Sequence, residues 1–109
     1  TKETSPVKLS ETLTVCPDET KVYYYQGIPT EAGTVMQVTN YSETGIRKVI
    51  ADLKAKVGNN FTIVIKPTKK AKYRNMIDML DECAITNNKR YALLEIDPDT
   101  EALIKRSGK

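Results

Sequence analysis

Hydrophobic and polar positions along this chain fall into short blocks whose period switches between two and about 3.6 residues. The clearest block is Phe61–Ile65, a β-branched apolar run closed by Pro67, which predicts a buried strand. A basic loop follows from Lys66 to Lys72. Tyr73, Met76, Ile77, Leu80 and Ala84 then recur at helical spacing and predict an amphipathic helix with that stripe turned to the core. Thr86–Lys89 reads as a polar turn and Tyr91–Ile96 as a second apolar strand. Strand, helix and strand with tight connections form a βαβ unit, whose two strands should run parallel.

Upstream, the pattern predicts a hairpin. From Leu9 the chain alternates, with Leu13 and Val15 on one side and Thr12, Thr14 and Cys16 on the other. Pro17-Asp18-Glu19-Thr20 supplies turn chemistry, and Lys21–Gln26 returns as a strand ending at Gly27. The long connection 28–42 contains a weakly alternating stretch, Thr34–Thr39, with the pattern of a short edge strand. Ser42 is the expected N-cap of a helix whose inner face is Ile46, Val49, Ile50, Leu53 and Val57, with Gly58 ending it. Asp97-Pro98-Asp99 breaks the last strand, and Thr100–Arg106 reads as a short terminal helix or a swappable arm. The predicted architecture is α+β: a β-β-α-β-α-β two-layer sandwich, with a small mixed sheet carrying two helices on one face. Residues 1–8 read as a flexible linker, 9–98 as the domain and 99–109 as a C-terminal arm or tail.

A chain of 109 residues accommodates one modest core. No stretch approaches the roughly 18 unbroken apolar residues of a membrane span. The net charge of +3 is too small to imply nucleic acid by itself. The cations are nevertheless clustered: Lys66, Lys69, Lys70, Lys72 and Arg74 crowd one loop and helix start, either as a solvated loop or as a docking patch for an acidic partner. Asp78, Asp81 and Glu82 are expected on the solvent side of the same helix. Three consecutive tyrosines, Tyr23 to Tyr25, must place one side in the core; the other packs under a loop or forms an aromatic strip of the kind that stacks nucleotides.

The sequence assembles no catalytic constellation. It has no histidine, so acid–base work near neutral pH would need a carboxylate or lysine with a strongly shifted pKa. No glycine-rich phosphate loop, nucleophile elbow or EF-hand loop is present. Cys16 and Cys83 lack zinc-ligand spacing, and the sequence leaves open whether they pair or are small core residues. The expectation is a non-enzyme with no cofactor and no metal.

The stretch TIVIKPT, a tyrosine opening a helix of the pattern Y-x-x-M-I-D-M-L-D, and the strand RYALLEI together resemble the periplasmic domain of the ExbD/TolR family of biopolymer transport proteins. The hairpin with YYYQG and the helix GIRKVIADLKAKV match in order and spacing, so the likeness covers roughly residues 9–98. The wording is most similar to the ExbD branch of Bacteroidetes-type Gram-negative cells. The chain departs from the pattern at Pro67-Thr68, where many relatives carry an aspartate, and no role is carried over to that loop. The resemblance implies the soluble periplasmic part of a single-pass inner-membrane protein. Its transmembrane helix, absent from this chain, would carry the essential acidic residue. The implied partners are an ExbB-like polytopic membrane protein and a TonB-like transducer, with a homodimer expected and no nucleic acid. Together they would form a motor driven by proton motive force that energises TonB-dependent transport across the outer membrane. The alternatives are a TolR-like peptidoglycan-binding domain of the Tol system and, from another class, a nucleic-acid-binding α+β module. An exposed strand edge is the expected means of gripping the transducer. The candidate edges are Thr12, Leu13, Thr14 and Val15; Val22, Tyr23, Tyr24 and Tyr25; and Arg90, Tyr91, Ala92, Leu93 and Leu94.

Overall fold

The computed structural model describes residues 11–108; the expected linker 1–8, the strand start at Leu9 and the terminal Lys109 lie outside them. The elements are β1 (Thr12–Pro17), β2 (Val22–Tyr25), β3 (Gln37–Thr39), α1 (Ile46–Val57), β4 (Thr62–Ile65), α2 (Tyr73–Ile85), β5 (Tyr91–Leu93) and α3 (Pro98–Ser107). The strands form one mixed sheet in the order β3-β2-β1-β4-β5. The tight turn makes β1 and β2 antiparallel, with Val15 opposite Tyr24. The α2 crossover makes β4 and β5 parallel, with Ile63 beside Tyr91 and Ile65 beside Leu93. β1 is also parallel to β4, Leu13 lying beside Ile63, so the hairpin and the βαβ unit join through the middle of the sheet.

Strand alternation divides the interior into two cores. On one face Leu13, Val15, Val22, Ile63 and Ile65 meet Ile46 and Ile50 of α1 and Met79 and Cys83 of α2. On the other, Cys16, Tyr23 and Tyr25 meet Met36 and Leu103 of α3. The fold is α+β with two helices on one face, as the periodicity requires. The chain's end adds a third helix to the opposite face. Asp97 caps α3 by accepting a hydrogen bond from the Thr100 N–H (3.1 Å), with Pro98 in the first turn. The buried Thr100 hydroxyl lies 2.9 Å from that of Tyr25, which ties the helix to β2.

Helix α1 presents the expected face, Ile46 and Ile50 buried with Val49, Leu53 and Val57 half-buried against them. Its start differs from expectation. Ser42 does not cap the helix; its N–H and hydroxyl both donate to Asn40 Oδ1, and the helix begins after Gly45. Glycine is required there by space: a Cβ at position 45 would run into both Asn40 Oδ1 and the Asn40 carbonyl oxygen. Helix α2 is rotated relative to the predicted stripe. Its buried residues are Asn75, Met79, Glu82 and Cys83, while Tyr73, Ile77 and Ala84 face solvent. Glu82, expected outside, is buried because Arg47 of α1 meets its carboxylate with two hydrogen bonds, 2.8 and 3.1 Å. The Lys54 ammonium donates to the Thr86 carbonyl (3.1 Å) and to that of Asn87, covering the C-terminal end of α2. Asn87 itself takes a left-handed conformation, φ 59°, that asparagine tolerates.

Cys16 and Cys83 are free thiols, and the sheet stands between them, one in each core. Burial pushes Cys16 up to about 12 and Cys83 up to about 11, so both stay protonated at neutral pH.

Candidate functional site

The sheet order decides which predicted edges are open. β1 lies between β2 and β4, and β2 between β1 and β3, so neither is an edge. Thr12, Leu13, Thr14 and Val15 are buried, as are Val22, Tyr23 and Tyr25. Two of the three edges read from sequence are therefore corrected. The parallel partnership of β1 with β4 closes one, and β3 closes the other. The tyrosine strip goes with them. Tyr23 and Tyr25 pack under α3, and the half-buried Tyr24 donates to Gln37 of β3, 3.2 Å away. No aromatic platform for nucleotide stacking is left on β2.

The β5 edge is open. Ile63 N–H donates to the Arg90 carbonyl and Leu94 N–H donates to the Ile65 carbonyl, each at 2.9 Å. In a parallel ladder these bonds turn the backbone groups of Arg90, Ala92 and Leu94 toward β4 and those of Tyr91, Leu93 and Glu95 outward. On both faces of this strand the apolar side chains are about half exposed. Tyr91 is 47% exposed, Leu93 52% and Leu94 50%. Natural edges are usually blunted by charge, proline or cover; here the exposed Lys89, Arg90 and Glu95 flank the half-exposed apolar side chains of Tyr91, Leu93 and Leu94.

A groove of about 410 Å³ runs beside this edge, lined by Leu80, Ala84, Asn87, Asn88, Lys89 and Tyr91. Tyr73 (80% exposed) and Ile77 continue the Leu80–Ala84 stripe along α2. The predicted stripe is thus divided: Met76 and Leu80 pack half-buried against the first core, while Tyr73, Ile77 and Ala84 face solvent, and Leu80 and Ala84 line the groove beside Tyr91. No local signal marks the rotation, because Met79 and Cys83 share the buried face of α2 with the polar Asn75 and Glu82.

The basic cluster is mostly neutralised within the chain. Lys66 pairs with Asp97 (2.6 Å), Lys69 with Glu101 (3.6 Å) and Lys72 with Glu19 (3.3 Å). For Asp97, burial works against the charged carboxylate. The Lys66 ammonium and the Thr100 hydroxyl and N–H outweigh it and hold the pKa at about 2. Lys70 and Arg74 remain exposed. Among the described residues no group of histidine, cysteine, aspartate or glutamate side chains is placed to hold a metal ion, and no helix is long and apolar enough to cross a membrane.

By fold and surface, then, the described residues form a small α+β domain whose sheet ends in two short edge strands, β3 and β5, the second carrying the larger exposed apolar side chains. Comparisons with models of protein families, with curated proteins and with solved structures each find no match.

Proposed function

We propose that this chain is the periplasmic domain of an ExbD-type subunit of a proton-driven inner-membrane motor that energises TonB-dependent transport across the outer membrane. In this reading it dimerises and grips a TonB-like transducer by adding the transducer's strand to its own sheet. Support comes from the sequence likeness over residues 9–98 and, above all, from the open β5 edge. There the outward N–H and C=O groups of Tyr91 and Leu93 supply the hydrogen bonds of strand addition. Tyr91, Leu93 and the groove beside Leu80 and Ala84 supply side-chain selectivity. The membrane helix that carries the proton, and the ExbB-like partner that surrounds it, belong to the rest of that assembly.

The test is an NMR amide-shift titration with a peptide from the periplasmic part of the TonB-like protein. Shifts confined to 90–95 and the α2 stripe, with new slowly exchanging amides at Tyr91 and Leu93, are expected. Leu93→Pro removes one outward N–H, leaves the bonds to β4 and should abolish the response. Peptide binding at β3, or none at all, would overturn the reading.

A further inference from the structure

Strand addition at β5 leaves the basic loop 66–72 without a role, and part of that loop walls a cavity on the face of the sheet that carries α3. The cavity measures about 230 Å³. Its floor is apolar: the buried Tyr23, with Ile96 and Ile104 half-buried against the second core. Its rim is cationic, formed by the exposed Lys69, Lys70 and Lys105. Two carboxylates share the lining, and both are engaged. Asp18 accepts a hydrogen bond from the Thr68 hydroxyl, and Glu101 pairs with Lys69 (3.6 Å). Lys70 and Lys105 have no ion pair among the described residues. We propose that this cavity binds a small monocarboxylate with an apolar tail. The ring or short chain of the ligand lies on Tyr23, Ile96 and Ile104, and its carboxylate meets the ammonium groups of Lys70 and Lys105 at the rim.

Size, charge and rigidity each narrow the ligand. The cavity is smaller than the roughly 300 Å³ at which drug-sized pockets begin, so it takes a ring or a short chain. Three ammonium groups against two carboxylates leave a surplus of one positive charge, which suits a monoanion. Lysines present point charges, without the paired N–H fork of arginine that favours phosphate. Inorganic phosphate would also leave the apolar floor in water, while a neutral hydrocarbon would leave Lys70 and Lys105 uncompensated. The walls are set before anything binds, which lowers the ordering cost of binding. Thr68 N–H donates to the Pro17 carbonyl (2.9 Å) and Lys70 N–H to the Thr68 hydroxyl (3.3 Å), fixing the loop against β1. The contact between the Thr100 and Tyr25 hydroxyls holds α3 in place. The proposal does not rest on the strand-edge role, and neither the β5 strand nor the groove beside it contributes to the lining.

An NMR amide-shift titration of the whole chain with phenylpropionate tests this, with phenylpropanamide and inorganic phosphate as controls. Saturable shifts centred on 68–70, 96 and 101–105 are expected, with a dissociation constant of about 1 mM for so small a ligand. The neutral amide keeps the tail and loses the charge, and should bind roughly tenfold more weakly. Phosphate should give no saturable shift at these residues. Replacing both rim cations, Lys70→Ala with Lys105→Ala, should bring the carboxylate down to the affinity of the amide and leave the amide where it was. Circular dichroism verifies that these two exposed substitutions leave the fold intact. Absence of saturation by about 20 mM, equal affinity for acid and amide, shifts centred elsewhere, or a double variant that binds like the parent would each overturn the proposal. Tyr91, Leu93 and Leu94 should not shift with phenylpropionate. A failure here therefore leaves the strand-edge reading untouched, and a failure of the peptide titration leaves this proposal untouched.

Discussion

Glu82 illustrates how a single side chain overrides the pattern around it. A carboxylate buried on the inner face of α2 is tolerable only while the Arg47 guanidinium meets it with paired hydrogen bonds. Removing the arginine strands a buried anion, whereas Glu82→Gln keeps a polar partner and leaves an arginine that can turn to water. Arg47→Ala should therefore lower the urea midpoint more than Glu82→Gln does. The thiols give a second check at this scale. Because both are buried and held protonated, neither Cys16 nor Cys83 should react with a thiol reagent at pH 8 until the protein is unfolded. The mass of the intact protein should show no internal disulfide after mild oxidation, since the sheet separates the two sulfurs. Gly58, at φ 95°, ends α1 in a conformation costly for any side chain, and Gly58→Ala should destabilise by about 1 kcal/mol.

Among the elements, α3 draws the most from its surroundings. A ten-residue helix is marginal alone, and this one is held by the Asp97 cap, the Lys66–Asp97 pair and Leu103 in the second core. Leu103→Ala should cost about 2–3 kcal/mol. The cap makes the helix acid-sensitive with a definite sign. The folded pKa of Asp97 lies below its ordinary 3.8, near 2, so its contribution is complete above about pH 4 and is lost as pH falls toward 2. Discounted for a side chain still partly in water, that contribution is about 1 kcal/mol. Asp97→Asn should flatten the stability profile across that window. Element identity was legible in the chain for a local reason. Alternation in Leu13–Cys16 and helical recurrence in Ile46–Val57 record the period of the backbone itself. The rotation of α2 was not legible, because it depends on Arg47, thirty-five residues away from Glu82 along the chain.

The whole molecule is organised by one nonlocal event, the insertion of β1 between β2 and β4. That step joins the hairpin to the βαβ unit, makes β1 the most enclosed strand and leaves β3 and β5 as the two edges. Proposed strand addition then draws on the outward groups of Tyr91 and Leu93.

Sequence alone determined the α+β class and the place of nearly every strand and helix, and it offered Arg90–Leu94 as one of three candidate edges. These depend on short-range periods, turn chemistry at Pro17–Thr20 and breakers such as Pro67 and Asp97-Pro98. The tertiary structure decided which strands become the edges, which stripe of α2 turns inward, and on which sides of the sheet Cys16 and Cys83 lie. Each of those depends on residues distant in sequence meeting in space. Strand order, helix rotation and the partner of a buried charge are properties of pairs of segments, and no single segment carries them.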